Sequence, residues 1–401
     1  MYPSGGDYTY LKSLASLLSE KKHEVVYWGM KDSKNEIIEN QDFFVDNIDY
    51  DKINKSKTIK NSIQVLTKSI YSYEASSKIK GILSRVKPDI VHLNNIHSHL
   101  TPSIIDAIKS FSIPIVWTLH DYELICPSIH FLSNGQVCEK CKINKYYQCT
   151  INKCKKNSLS ASFVTTIKSY FHSFLAIESK VDKFIAPSIF LKSKFNEFGW
   201  SDDKIIFIRN FLSDIPSEFP KKADSNDYIF YFGGLAEWKG IDTLIKSAEI
   251  NRNIDIIIAG AGPYEDNIKS YINDNKLFNV KLVGLLNKNE LKKYILESRF
   301  IVVPSKWYEN CPYSVMETMS MGVPIIGANI GGIPEMVIDG KTGLLFEPGN
   351  VGDLSNKISN LYNNKMLIKK MGINSYNYAK ENLNKNKYYD QLIKVYNSTI
   401  K

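Results

Sequence analysis

At 401 residues with a 43% apolar fraction, the chain is long enough for two globular domains, and whole-chain disorder is excluded. Its net charge of +9, from 51 Lys+Arg against 42 Asp+Glu, suits anionic nucleotides or a membrane surface. No reading helix or aromatic base platform accompanies that charge, so nucleic acid is not an expected partner. No apolar run reaches the roughly 18 residues of a membrane span, and residues 1–6 lack a basic leader and an apolar signal core. The expectation is a cytoplasmic protein, peripheral at most on the inner face of a membrane.

In chain order, Tyr10, Leu11, Leu14, Leu17 and Leu18 recur at helical spacing over residues 8–23, and His23–Trp28 reads as a strand. Residues 31–60, rich in Lys, Asn and Asp, read as irregular. Asp49-Tyr50-Asp51 within them reads as a solvated loop rather than a metal motif, because no strand precedes it. Ile90–Leu93 and Ile113–Thr118 are short buried strands with a helix pattern near 102–110 between them.

Five of the six cysteines follow within 126–156: Cys126, Cys138, Cys141, Cys149 and Cys154. Cys138-x2-Cys141 has metal-ligand spacing, and Cys149 and Cys154 can complete a four-thiolate structural zinc site. The same residues read equally as free thiols. Lys140, Lys142, Lys145, Lys153, Lys155 and Lys156 share this insertion with a single acid, Glu139. They read as a solvated basic loop, or as a surface for lipid headgroups or a lipid-pyrophosphate acceptor. The next helix pattern carries Phe163, Ile167, Tyr170, Phe171 and Phe174. Packing is its default use; lying on a bilayer is the alternative.

Further strands are read at 184–188 and 205–208. After a polar stretch at 216–227, a second series runs through 228–232, 254–259, 280–283, 300–303 and 324–327. Strands alternating with helices imply parallel, doubly wound sheets. The expected division is 1–212, 213–380 and a closing helix at 381–401, part of a helical pattern from about 365, with the boundary near 210–226. Gly260-Ala261-Gly262 follows a strand, but Glu265 stands where a dinucleotide fingerprint needs glycine, so it reads as a tight turn.

The stretch Trp307–Glu317 holds the sharpest signal. Glu309 and Glu317 lie eight positions apart after the apolar run Phe300–Ser305, and Pro312 suits a helix start. The free N–H groups and dipole of such a start make an anion site. An acid before it and another behind it suit a phosphate held between hydroxyl-bearing groups, the layout of a nucleotide-sugar. Lys239 follows a strand and a Gly-Gly turn, where a cation neutralises charge growing on a departing diphosphate. His120 closes Trp117-Thr118-Leu119 at a sheet's C-terminal edge, where open α/β sheets bind ligands. Gly5 and Gly6 permit close backbone approach.

The Glu-x7-Glu stretch resembles that of the retaining glycosyltransferases of family 4. The likeness extends in order through Pro3–Gly6, Pro88–His92, Trp117–Asp121, Gly233–Gly240, Ala259–Pro263, Gly331–Glu335 and Gly340–Leu345. It implies an α/β GT-B fold, with two Rossmann-like domains facing a cleft. It implies ribose hydroxyls on Glu317, the donor sugar near Glu309 and against His120, and the diphosphate at Lys239. It further implies donor contacts from Gly5, Gly6, Gly234, Cys311, Pro312, Tyr313 and Ser314. Two departures stand out. Gly234 occupies a place where the family has an arginine, and the strand that precedes the first glycine loop is missing, which suggests a start assigned too late.

The resulting expectation is a retaining transferase that moves a sugar from a nucleoside diphosphate, foremost UDP, to a lipid-linked or saccharide acceptor. No cofactor is required for catalysis. A Lys-, Asn- and Ile-rich composition, as from an AT-rich bacterial genome, associates it with surface polysaccharide assembly. A GT-B nucleotide-sugar epimerase and a non-catalytic nucleotide-sugar-binding subunit are the alternatives.

Overall fold

The computed structural model describes residues 5–36, 39–47, 70–97, 99–220 and 227–400. Pro3, Ser4 and Asp49-Tyr50-Asp51 lie outside them. The chain forms two compact units. One takes in the described residues of Met1–Asn134, Cys138–Ile208 and Tyr388–Lys401; the other takes in Gly135–Val137 and Arg209–Lys387.

The first unit is built on β1 (Val91–Asn94), β2 (Ile115–Thr118), β3 (Lys183–Ala186) and β4 (Ile205–Phe207), parallel and in that spatial order. Leu93 lies beside Trp117, Trp117 beside Phe184 and Phe184 beside Ile205. Trp117, Phe184 and Ile185 are fully buried, as expected where helices cover both faces of a parallel sheet. Around it run α1 (Gly5–Glu20), α2 (Tyr73–Val86), α3 (Ser103–Lys109), α4 (Leu159–Phe174) and α5 (Ile189–Glu197). The side chain of Ser72 caps α2, that of Ser158 caps α4 and that of Ser188 caps α5.

His23–Trp28 is not a strand; from His23 to Gly29 the chain carries no ladder, and only an isolated bridge, Met30 to Val45, follows. Among the described residues no strand lies beside it, and backbone without a neighbouring strand has no hydrogen bonds to hold it extended. Gly5 and Gly6, expected in a loop, instead open α1.

The second unit carries β5 (Tyr228–Phe232), β6 (Asp255–Ala259), β7 (Val280–Gly284), β8 (Ile301–Val303), β9 (Ile325–Ala328) and β10 (Gly343–Phe346). They form one parallel sheet in the order β10-β9-β8-β5-β6-β7. The order reverses direction at β5 and β8, which makes their C-terminal ends the switch point where doubly wound sheets bind ligands. Its helices are α6 (Ile241–Ile250), α7 (Glu265–Asp274), α8 (Lys288–Glu297), α9 (Tyr313–Ser320), α10 (Val351–Tyr362) and α11 (Lys365–Asn382). Phe230, Ile258, Val302, Met316, Ile326 and Leu354 lie in its core.

The closing helical pattern is broken: α11 ends at Asn382 and α12 (Lys385–Thr399) starts anew. The Asn384 side chain accepts from Asn386 N–H at 2.8 Å, a capping interaction that ends one helix and starts the next. From Tyr388, α12 belongs to the first unit. There Tyr10 Oη meets Tyr388 Oη at 2.5 Å and Thr118 Oγ1 at 3.0 Å. His92 bridges Thr118 Oγ1 at 2.7 Å and Tyr396 Oη at 2.6 Å. This buried polar network fixes α1 and α12 against β1 and β2.

Candidate active site

In the second unit, the loops leaving β5 and β8 bring together the expected site residues Lys239 and Glu309. Lys239 ends a 3-10 turn, Glu237–Lys239, and Gly240 turns the chain at φ 70° into α6. A Cβ on Gly240 would lie 1.8 Å from the Pro304 carbonyl oxygen, so the β5 loop approaches the end of β8 as only glycine allows. Lys306 N–H donates to Trp238 O at 2.9 Å and locks the two loops together.

Three donors converge on one oxygen of the buried Glu309. Lys239 Nζ lies 2.7 Å from Oε1, Ser305 Oγ 2.7 Å and Trp307 Nε1 2.8 Å. The Lys239 ammonium also sits 5.0 Å from the centre of the Trp307 ring. Burial alone would raise the Glu309 carboxyl; the Lys239 charge and the three hydrogen bonds outweigh it and hold the group below the usual carboxylate range. Glu309 is therefore an anion at neutral pH. Among the described residues no donor reaches its second oxygen, Oε2.

Pro312 is the N-cap of α9 rather than its first residue, with φ −68° and ψ 122°. Its carbonyl accepts from Val315 N–H at 3.1 Å and from Met316 N–H at 3.3 Å, and the N–H groups of Tyr313 and Ser314 precede these first bonds of the helix. The Cys311 side chain points into the core, its Sγ 3.6 Å from Met316 Sδ, so only its backbone is available to a ligand. One turn further, Glu317 is half-buried. Burial raises its carboxyl and Lys288 only partly offsets that; no hydrogen-bond donor among the described residues satisfies it. Gly234 is exposed, and a Cβ there would meet nothing within 4 Å.

In the first unit, His120 sits at the end of β2. Its Nε2 lies 2.8 Å from Asn94 Oδ1, which makes Nε2 the protonated nitrogen, and Nδ1 lies 3.7 Å from Asp7 in the first turn of α1. That unit thus brings His120 beside the helix start that holds Gly5 and Gly6. Burial lowers the His120 pKa, against the pull of Asp7 and Asp121, so the ring is neutral at neutral pH.

The cysteines share one region. Cys141 and Cys149 are buried, Cys138 and Cys154 half-buried. Cys149 Sγ lies 3.7 Å from Thr165 Oγ1, and a hydrogen bond from the Cys149 thiol pulls Cys154 down to about 6. Among the described residues, the three side chains whose ligand atoms converge within 4.8 Å are His97, Asp121 and Glu123. Lys168 Nζ already stands 2.5 Å from Glu123 Oε1 there, supplying a cation.

Sequence reasoning named Glu309 but missed the groups that orient it. Ser305 closes the apolar run and Trp307 opens the stretch after it, yet the direction of their side chains depends on the loop's path. Gly331 stands in the Gly331–Glu335 motif, and its φ of 61° and its contact with the Glu309 backbone give it a positioning role.

The family description "Glycosyltransferase Family 4" matches residues 4–214, and "Glycosyl transferases group 1" matches residues 214–378. An uncharacterized 42.6 kDa protein in the cps region of Klebsiella pneumoniae is 24% identical over 84% of each chain. An uncharacterized glycosyltransferase of Methanocaldococcus jannaschii is 30% identical over 53% of this chain and 58% of its own length. The capsular polysaccharide biosynthesis glycosyltransferase CapM of Staphylococcus aureus is 24% identical over 56% of this chain and 60% of its own. The chain thus spans under two thirds of some relatives and most of others.

Among solved structures, sucrose-phosphate synthase from Thermosynechococcus elongatus superposes with a TM-score of 0.72 at 16% identity, covering 99% of this chain and 94% of that one. The Anabaena protein Alr3699/HepE, solved in complex with UDP and glucose, gives 0.61 at 17% identity over 80% and 81%. These likenesses establish the GT-B fold, and with the two matches, one running through each unit's site residues, the chain belongs to glycosyltransferase family 4.

Proposed function

We propose that the chain transfers a glycosyl group, with retention of anomeric configuration, from a nucleoside-diphosphate sugar to a saccharide or lipid-linked acceptor. The observation that carries this reading is the Lys239–Glu309 pair at the switch point of the second unit's sheet, one loop ahead of the α9 start. In it, Glu317 accepts from the ribose hydroxyls. Lys239 and the first N–H groups of α9 hold the diphosphate, and the free oxygen of Glu309 faces the sugar.

Transfer breaks the bond between C1 and the β-phosphate oxygen and forms one between C1 and the acceptor oxygen. The acceptor proton passes to the departing phosphate, so no dedicated base is needed. Lys239 stabilises the charge that grows on that phosphate, and the Glu309 carboxylate stabilises the positive charge on the sugar ring. His120, neutral and protonated on Nε2, suits hydrogen bonding to hydroxyls rather than proton transfer.

UDP is the first donor to test, because the Anabaena neighbour was solved with UDP and glucose. Surface polysaccharide is the first acceptor class, because relatives lie in a cps region or are named for capsule synthesis. The transfer step is assigned no metal. A zinc on Cys138, Cys141, Cys149 and Cys154 would serve only to pin the 126–156 insertion, and elemental analysis of the purified chain decides between that and free thiols.

The test is a panel of UDP-, GDP-, ADP- and TDP-sugars with saccharide acceptors, followed by NMR of the product's anomeric centre. A product with the donor's configuration supports the reading. An inverted product overturns retention. Nucleotide binding without turnover on any donor overturns the transferase and favours the non-catalytic subunit, and a new nucleotide-sugar formed without acceptor favours the epimerase.

A further inference from the structure

Helix α4 is inside out. It buries Ser162, Thr166, Ser169 and His172 and turns Leu159, Phe163, Ile167, Tyr170 and Phe174 to solvent. Those five advance by three or four residues, so they form one stripe along the helix. Phe163 is 55% exposed and Phe174 83%.

The buried side is held by polar tethers. Ser162 Oγ accepts from Lys155 N–H at 2.9 Å, Thr166 Oγ1 donates to Tyr146 O at 3.2 Å, and His172 Nε2 lies 3.3 Å from Ile70 O. Lys168 Nζ donates to His97 O at 2.8 Å. These tethers fix the orientation of α4 and leave Leu159, Phe163, Ile167 and Phe174 of its apolar stripe exposed. Among these aromatics, Phe171 has its ring 6.1 Å from that of Tyr71, and Tyr170, though 42% exposed, rests edge-on at 5.3 Å against the buried Tyr146. The default expectation that the set packs inward holds for Phe171 and in part for Tyr170, and fails for Phe163, Ile167 and Phe174.

A neighbouring segment extends the surface. The short helix Tyr147–Ile151 runs antiparallel to α4, with Tyr147 N–H facing Tyr170 Oη at 3.4 Å and Thr150 Oγ1 donating to Thr166 Oγ1 at 2.8 Å. It presents Tyr147 and Ile151 outward, Ile151 at 65% exposure, and Ile143 just before it is 71% exposed.

The charge of the same stretch has one sign. From Lys140 to Phe174 there are seven lysines and no Asp or Glu. Lys140, Lys142, Lys145, Lys153 and Lys156 are exposed on the segments beside the stripe. Aromatic and aliphatic side chains on one face, flanked by lysines of which, among the described residues, Lys142 alone pairs with an acid, Glu197 at 3.7 Å, match the boundary of an anionic bilayer, where rings enter the acyl region and ammonium groups meet headgroup phosphates. A rim in which lysines outnumber acids also disfavours a basic protein partner, a second copy of this +9 chain included.

We infer that α4 and the Tyr147–Ile151 helix form a docking surface for an anionic phospholipid bilayer, with the side chains of Phe163, Ile167 and Phe174 inserted and the 140–156 lysines on the headgroups. This stands on the surface of the first unit alone and does not rest on the transferase reading.

The test is co-sedimentation of the full chain with vesicles of phosphatidylglycerol mixed equally with phosphatidylcholine, and with pure phosphatidylcholine, at low and physiological salt. Wild type should bind the anionic vesicles and leave the neutral ones. Phe163→Ser with Phe174→Ser should weaken binding roughly tenfold or more, from the apolar area withdrawn. Lys145→Gln, Lys153→Gln and Lys156→Gln together should weaken it and flatten its salt dependence. Both variants alter exposed groups, so their circular dichroism and melting temperature should match wild type. Vesicle binding unchanged by the phenylalanine substitutions overturns the proposal. So does a dimer that these substitutions dissociate, seen by sedimentation velocity, while vesicle binding is unchanged, because a second copy would then cover the stripe.

Discussion

Gly331 holds Glu309 in place by backbone contact. A Cβ on Gly331 would lie 2.4 Å from the Glu309 carbonyl oxygen and 2.6 Å from its nitrogen, and Gly332 N–H donates to that oxygen at 2.7 Å. Gly331→Ala should therefore displace the Glu309 loop and disfavour the φ of 61° by about 1 kcal/mol. We expect a loss of turnover of roughly a hundredfold, as for a misplaced reacting group, with a smaller loss of stability. Steady-state kinetics beside thermal unfolding checks this; a variant with full turnover removes Gly331 from the site.

Lys239, half-buried, forms an ion pair with the buried Glu309. Lys239→Met strands a buried carboxylate and should cost about 3 kcal/mol of stability in chemical denaturation. Adding Glu309→Gln should restore most of it, although neither variant should turn over. The sign with pH follows from the lowered Glu309 pKa: its stabilisation is present above the unfolded carboxyl's value and lost as pH falls through the folded one. If Lys239→Met is as stable as wild type, the pair is not the anchor of this loop.

Gly234 is open space beside the same turn. The resemblance places an arginine there in related enzymes, and no positive φ or close neighbour obstructs one here. Gly234→Arg should fold normally and tighten nucleoside-diphosphate binding severalfold, through a second charge-assisted contact. Isothermal titration calorimetry with UDP measures it. Weaker binding would mean that this turn does not face the diphosphate.

Much of the second unit was legible because its strands are short apolar runs between glycine, proline and polar turns, and parallel strands buried on both faces read that way. β10 was not among the expected strands: Gly343–Phe346 is four residues long and starts on glycine. His23–Trp28 was misread because an apolar run signals extended chain but not the neighbour it needs. The break between α11 and α12 depends on one asparagine inside a helical pattern. The carboxylates Glu309 and Glu317 stood out from spacing, whereas Ser305 and Trp307 became visible only once the loop was folded. For α4, the spacing of apolar residues said which face they share but not which way that face turns.

The first unit should be acid-sensitive. His92 and His172 are pushed down to about 3, first by burial, and His120 is lowered for the same reason. Below about pH 6.5 the unfolded chain takes up protons that the folded histidines refuse, so stability falls as pH falls. For His92 and His172 together the slope approaches about 3 kcal/mol per pH unit. Asp121, raised by burial, opposes it in part. Calorimetry between about pH 7.5 and pH 5 should show a steeply falling melting temperature, and His172→Gln should reduce the slope. A flat profile would show that these rings accept protons in place.

The most direct test is the release of nucleoside diphosphate from the best donor by wild type, Lys239→Ala and Glu317→Gln. Glu317→Gln removes a carboxylate whose pKa burial raises, a burden on the fold at neutral pH, so that variant should unfold at no lower temperature than wild type. We expect release to fall roughly a hundredfold or more in Lys239→Ala. In Glu317→Gln, donor affinity should fall about tenfold or more. Equal release by wild type and both variants would place the donor elsewhere on the chain and contradict the assignment of the Lys239–Glu309–Glu317 site.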